Sequence, residues 1–305
     1  MDFLYLLENI RIPVLDKLML LVTHLGEETA FLVIALIVFW CVDKYHGYYM
    51  LGVGLLGNLL NQFLKITCRI PRPWVRDPDF TVVEAAKAEA GGYSFPSGHT
   101  QTAVGTFGAV AATQKRKWIG ILCVVLAALT AFSRMYLGVH TPADILVGSA
   151  MALALVFGLK PLLLGKSKRW IPLTFGIMLL LSVGFLTNLE VYPFPADVDA
   201  ENYASAIKNA YTFLGCFAGV LVVYVVDETK LHFKTQAVWW AQILKAVLGL
   251  GIVLLVKESL RSPLEAIFHG HMVARAIRYF LIVVVAGVVW PLSFRLFTKK
   301  EKNHE

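Results

Sequence analysis

Apolar runs of about 20 residues recur along this chain, separated by short polar loops. A bilayer core about 30 Å thick takes roughly 20 mostly apolar residues to cross as a helix, so the pattern predicts membrane spans. About nine are expected, at roughly 27–43, 47–66, 97–113, 117–137, 142–163, 170–189, 204–226, 236–256 and 276–297. Residues 3–24 are also apolar but are interrupted by Glu8, Arg11, Pro13, Asp16, Lys17 and His24. An amphipathic helix lying at the interface fits that stretch better than a tenth span. The start, MDFLYLLENIRIPVLDKL, has acidic residues and no basic region ahead of an apolar stretch, so no cleavable signal peptide is expected.

Composition strengthens this picture. Hydrophobic residues make up 57% of the 305 and charged residues only 16%, too little charge to cover a soluble protein of this length. The expected fold class is all-α, a polytopic membrane helix bundle. Its spans follow so closely that residues 1–305 leave no room for a separate soluble domain. The net charge of +7 follows from topology: basic residues gather in short loops, and no basic helix with interleaved aromatics suggests a nucleic-acid partner. Cys41, Cys68, Cys123 and Cys216 are far apart and form no metal-ligand pair.

Loop charge also orients the chain. One set of alternate loops carries Lys44; Lys115, Arg116 and Lys117; Lys160, Lys166, Lys168 and Arg169; Lys230 and Lys234; and a tail with Arg295, Lys299, Lys300 and Lys302. The opposite loop at 190–203 has no Lys or Arg but holds Glu190, Asp197, Asp199 and Glu201. The positive-inside rule puts the first set, and the C-terminus, in the cytoplasm. Loops 67–96, 134–141 and 257–275 then face outward, and their own basic residues need another reason.

Three clusters on that outward face offer one. Lys65-Ile-Thr-Cys-Arg69-Ile-Pro-Arg72-Pro73 ends the second span, Pro96-Ser97-Gly98-His99 opens the third, and Ser133-Arg134 to His140-Thr-Pro-Ala-Asp144 joins the fourth and fifth. Lys65, Arg72 and Arg134 are cations at helix ends. Arginine suits bidentate phosphate binding and lysine acts as a point charge for the same anion, whereas the plain alternative is interfacial snorkelling. Ser97 between Pro96 and Gly98 makes a helix N-terminus whose free N–H groups favour an anion, with His99 in the first turn. His140 and Asp144, four residues apart, share a face if the segment is helical. The carboxylate then fixes the tautomer and leaves the other nitrogen as a nucleophile. Thr141-Pro142-Ala143-Asp144 also resembles a capping box, which explains Asp144 but not His140. Asn58, Asn61 and Gln62 share the second span with Lys65, and interhelical hydrogen bonding is the plainer role for the two asparagines.

Together, Lys-x6-Arg-Pro, Pro-Ser-Gly-His and Ser-Arg-x5-His-x3-Asp resemble the three signature motifs of the type 2 phosphatidic acid phosphatase (PAP2) superfamily, complete and in family order over residues 65–144. The resemblance implies that Lys65, Arg72 and Arg134 bind phosphate oxygens with the Ser97 hydroxyl and the Gly98 backbone. It implies His140 as nucleophile, His99 as the acid protonating the leaving alcohol, and Asp144 as the partner of His140. It implies no metal and no cofactor, because cations and N–H groups stabilise the transferring phosphoryl group. On this basis residues 27–165 form a PAP2 catalytic core and 166–305 additional spans. Family lipid phosphatases of bacteria have about six spans, whereas here about 160 residues follow Asp144. The nine-span layout resembles glucose-6-phosphatases and sphingosine-1-phosphate phosphatases.

The resulting expectation is a metal-independent membrane phosphatase in a bacterial cell membrane, with an extracytoplasmic site and a phospho-histidine intermediate. Its partners are a lipid phosphate and the membrane lipids. Phosphatidic acid, phosphatidylglycerophosphate, an isoprenyl pyrophosphate and a sphingoid-base phosphate are open as substrates, as is a sugar phosphate. Phosphotransfer to another alcohol is the alternative reaction. The outward Arg69, Arg76, Lys257, Arg261, Arg275 and Arg278 either attract anionic head groups or pair with Glu258 and Glu265.

Overall fold

The computed structural model describes residues 1–195 and 198–296. Asp197 of the acidic loop, and Lys299, Lys300 and Lys302 of the basic tail, lie outside the described residues. Among the described residues there are helices and no strand.

The elements follow the apolar runs. They are α1 (Asp2–Asn9), α2 (Pro13–Thr23), α3 (Glu28–Ile37), α4 (Lys44–Cys68), α5 (Pro73–Arg76), α6 (Glu84–Glu89), α7 (Gly98–Thr113), α8 (Lys117–Tyr136), α9 (Pro142–Leu163), α10 (Trp170–Val191), α11 (Ala200–Val226), α12 (Trp239–Ser259), α13 (Arg261–Ile267) and α14 (Val273–Val284). Among the described residues, six helical stretches are long and apolar enough to cross a membrane: Lys117–Tyr136, Pro142–Leu163, Trp170–Val191, Ala200–Leu231, Trp239–Ile267 and Val273–Leu296. A seventh is reached if the pair Pro13–Gly26 and Glu28–Val42, bent by 51°, counts as one broken span.

The expected count of nine is therefore not met by length and hydropathy alone, and the shortfall has a physical cause. Helix α4 is 25 residues long but carries Lys44, His46, Asn58, Asn61, Gln62 and Lys65. Helix α7 has only 16 residues, about 24 Å of rise, and buries Thr100, Gln101, Thr102 and Thr106 against protein. Asn58 accepts from the Thr102 hydroxyl at 3.3 Å, the interhelical role expected for it. Both helices trade lipid-facing hydrophobicity for internal polar contacts.

The expected interfacial stretch forms two helices whose polar residues are spent on packing. Tyr5 donates to Asp77 at 3.0 Å, and Arg11 donates to the Tyr136 carbonyl at 2.9 Å and to the Thr81 carbonyl at 2.8 Å. Tyr136 in turn donates to Asp16 at 2.9 Å. Leu6, Ile10, Val14, Leu18 and Leu21 stay exposed.

The chain divides into two compact units. The first comprises Met1–Ile34, Tyr49–Pro161 and Leu189–Ile207. It contains all the motif residues. The second comprises Ala35–Tyr48, Leu162–Asn188 and the chain from Lys208 on. Within it Trp40 is fully buried and donates to the Ala286 carbonyl at 2.8 Å, and Lys44 pairs with the buried Asp227 at 2.5 Å. Cys123 and Cys216 are buried in apolar surroundings, Cys41 is half-buried and Cys68 exposed.

Candidate active site

The site is built on the junction between α8 and α9. Pro142 starts α9 with its ring at the position that needs no N–H donor. The Thr141 N–H donates to Asp144 Oδ2 at 2.7 Å and the Asp144 N–H faces Thr141 Oγ1 at 3.4 Å, which is the reciprocal capping box. The same carboxylate oxygen lies 3.5 Å from His140 Nδ1. The cap and the His–Asp pair are thus one structure, since a single oxygen serves both. His140 and Asp144 are each 1% exposed.

The other ring nitrogen of His140, Nε2, is 2.9 Å from Arg72 Nη1. A guanidinium can only donate, so Nε2 is the acceptor and the ring proton sits on Nδ1, toward Asp144. Burial pushes the His140 pKa well below the usual imidazole value, and the charges of Arg72, Arg134 and Lys65 push it further the same way. The ring is neutral at physiological pH, with its lone pair on Nε2 directed at the cations.

Arg72 is fixed by three backbone carbonyls. It donates to Gly92 at 2.9 Å, Gly91 at 2.7 Å and Val139 at 2.9 Å. Burial lowers its pKa to about 10, which leaves it cationic at neutral pH. Lys65, in the last turn of α4, donates to the Tyr93 carbonyl at 2.5 Å. The segment 91–93 therefore holds both cations with consecutive carbonyls. Arg134 is 1% exposed and donates to the Thr23 hydroxyl at 2.6 Å, while its own carbonyl accepts from the His140 N–H at 3.3 Å.

Ser97 caps α7, its Oγ accepting from the Thr100 N–H at 3.4 Å. Its N–H donates to the Asp144 carbonyl at 3.1 Å, tying the start of α7 to the start of α9. This close approach requires Gly148, where a Cβ would lie 2.8 Å from the Ser97 carbonyl. Asn61 supports the same turn from α4, donating to the Pro96 carbonyl at 3.4 Å. Gly98 and His99 form the first turn of α7, half-buried, and His99 lies within electrostatic range of Arg134, Arg72 and Lys65. All the motif residues thus gather around one imidazole. Among the described residues, no three His, Cys, Asp or Glu side chains group as metal ligands.

Three contributors carry no motif signal. Ser94, fully buried, donates to Asp144 Oδ2 at 2.6 Å and lies 3.5 Å from His140 Nδ1. Thr23 anchors Arg134 from 111 residues away. Gly26, in a tight turn after α2, is the third: a Cβ there would lie 2.7 Å from the His99 carbonyl.

Comparison with known proteins agrees with this constellation. Residues 46–167 match the PAP2 superfamily, and residues 211–302 match the transmembrane extension of PAP2 superfamily phosphatases. Phosphatidylglycerophosphatase B of Bacillus subtilis is 32% identical over 166 residues, covering 50% of this chain and 76% of the relative. Undecaprenyl-diphosphatase BcrC of the same organism is 31% identical over 149 residues, covering 48% and 72%. Mouse sphingosine-1-phosphate phosphatase 1 is 22% identical over 261 residues, covering 79% of this chain and 58% of its own. No solved structure matches the chain at a significant level. Every motif residue from Lys65 to Asp144 falls inside the first matched range.

Proposed function

The chain belongs to the PAP2 superfamily, and from that membership we propose how it hydrolyses lipid phosphates. It is an integral membrane phosphatase, with several apolar helices and phosphatase relatives. The substrate class proposed is a lipid phosphate monoester or pyrophosphate, the class named by those relatives.

In the proposed reaction Lys65, Arg72 and Arg134 take the phosphate oxygens, helped by the Ser97 hydroxyl and the Gly98 N–H. Arg72 turns from His140 Nε2 to a phosphate oxygen and so frees the nucleophile's lone pair. Nε2 attacks phosphorus in line with the ester oxygen; a P–N bond forms and the P–O bond to the lipid breaks. His99 gives its proton to the departing alkoxide. Water then attacks phosphorus, His99 takes its proton, the P–N bond breaks and phosphate leaves. Asp144 holds Nδ1–H and stabilises the positive charge that the ring gains. Developing charge on the phosphoryl oxygens is balanced by cations and N–H groups, so the reaction needs no metal.

The observation that carries this reading is the orientation of His140, with Nδ1 toward Asp144 and Nε2 toward Arg72. The proposed location is a bacterial cell membrane. The site would face outward, because Lys44, the 115–117 cluster, the 160–169 loop and Lys230 and Lys234 mark the opposite loops as cytoplasmic.

Purified protein should release phosphate from detergent-solubilised lipid phosphates in the presence of chelator and be inhibited by vanadate. A rapid quench with ³²P-labelled substrate should trap label on His140. Phosphate release that survives His140→Ala overturns the mechanism. Turnover of sugar phosphates with none of any lipid phosphate overturns the substrate class. A phosphorylated acceptor alcohol in place of free phosphate reassigns the enzyme as a phosphotransferase.

A further inference from the structure

Beside Lys65 lies a cavity of about 280 Å³ whose walls are mostly polar, with Ile66 and Ala206 among them. Gln62 and Lys65 of α4 line one side, and Glu201, Asn202 and Ser205 of α11 line another. Between them runs the 91–93 segment, whose carbonyls grip Arg72 and Lys65. Helix α11 is set firmly against that segment. Asp199 caps it, accepting from the Asn202 N–H at 2.8 Å, and the Asp199 N–H faces the Tyr93 hydroxyl at 3.3 Å. A Cβ on Gly92 would lie 3.1 Å from Asn202 Oδ1. The first turns of α11 fall outside both matched family ranges, which end at 167 and resume at 211.

The chemistry of the walls differs from that of a hydrocarbon channel. Glu201 supplies a carboxylate that only accepts, Gln62 and Asn202 supply amides that accept and donate, and Ser205 a hydroxyl that does both. An all-carbon chain pressed against them would strip water from these groups and return no hydrogen bond. A hydroxyl or ammonium group would replace that water with direct bonds. Lys65 belongs both to the cavity and to the phosphate cluster. A phosphate engaged by Lys65 therefore brings the atoms next to its ester linkage to the cavity mouth.

We propose that this cavity is a specificity subsite for a hydrogen-bond donor, hydroxyl or ammonium, carried on the carbons adjacent to the phosphate ester. The enzyme then prefers glycerol-type or amino-alcohol-type lipid phosphates to polyprenyl and simple alkyl phosphates. This rests on the phosphatase reading above and narrows its substrate class. Sites that bond a substrate hydroxyl reject the analogue lacking it, because their own polar groups are left unpaired. The exposed rim of this cavity softens that penalty, so the expected discrimination is about tenfold or more in kcat/KM.

The test uses three phosphates with chains of about 16 to 18 carbons in detergent micelles: hexadecyl phosphate, 1-O-hexadecylglycerol 3-phosphate and sphinganine 1-phosphate. The last two should exceed the first by about tenfold in kcat/KM. Comparing them separates a preference for hydroxyl from one for ammonium. Glu201 and Ser205 are exposed, so Glu201→Gln and Ser205→Ala leave the fold intact. Glu201→Gln should reduce the advantage of the ammonium substrate, and Ser205→Ala that of the hydroxyl substrate. Equal turnover of all three substrates by the parent protein overturns the subsite, as does an unchanged substrate ratio in both variants. His140→Ala runs in parallel: phosphate release that persists there removes the phosphatase reading itself, whereas a flat substrate profile with His140-dependent release removes only the subsite.

Discussion

Replacing Ser94 by alanine removes a buried donor to Asp144 that the three motifs do not contain. In the folded protein its hydroxyl lies 2.6 Å from Asp144 Oδ2, an oxygen that also accepts from the Thr141 N–H at 2.7 Å and faces His140 Nδ1 at 3.5 Å. Serine and carboxylate are both essentially excluded from solvent, so no bulk water replaces the lost donor. A hydrogen bond to a charged group contributes about 1.5–3 kcal/mol. Carried wholly into the transition state, that corresponds to roughly 10- to 150-fold in rate. Two readouts separate positioning of the pair from simple stability. Unfolding in detergent should show a loss of about 1.5–3 kcal/mol. The pH profile of kcat/KM should also move. With Ser94 gone, more of the Asp144 charge acts on His140 and favours its protonated form. The imidazole pKa, held below the ordinary value by burial and three cations, rises. Activity needs the neutral ring and is lost as pH falls through that pKa. The parent enzyme should therefore keep its acid limb below the ordinary imidazole range, and Ser94→Ala should shift it upward. An unchanged profile with normal stability would falsify the coupling between Ser94 and the His–Asp pair.

Other replacements test the remaining contacts. Arg72→Lys keeps the charge but cannot reach three carbonyls and the imidazole at once, so kcat/KM should fall by about 10²-fold or more in a phosphate-release assay. Gly26→Ala sets a methyl 2.7 Å from the His99 carbonyl and 2.8 Å from Thr130 Cγ2. Thermal unfolding should register about 1–3 kcal/mol of overpacking, with a matching loss of turnover as His99 is displaced. Thr23→Val removes the hydroxyl that holds Arg134. Raised KM with modest change in unfolding temperature is expected, and an unaltered KM would show that Thr23 does not position this cation.

Much of the site is legible in the chain because its signals are local. The capping box needs only Thr141, Pro142 and Asp144 in succession, and with His140 just ahead of α9 the same cap turns the Asp144 carboxylate back toward the imidazole. The apolar runs likewise mark the long helices from α8 onward, since hydrophobic length is a property of contiguous residues. The same signal is weaker at α4 and α7. There polar residues are satisfied by neighbouring helices, as where Thr102 meets Asn58, and hydropathy cannot register a partner.

What the tertiary structure alone decided is which distant groups complete the site. Ser94 reaches a carboxylate 50 residues away and Thr23 reaches Arg134 across 111. The start of α11, more than a hundred residues beyond Lys65, closes the polar cavity beside it. A serine, a threonine and an asparagine are common in any loop or helix end, so their types carry no message. Their roles arise because buried charges must find donors and acceptors within about 3 Å, and helix packing determines which residues stand that close.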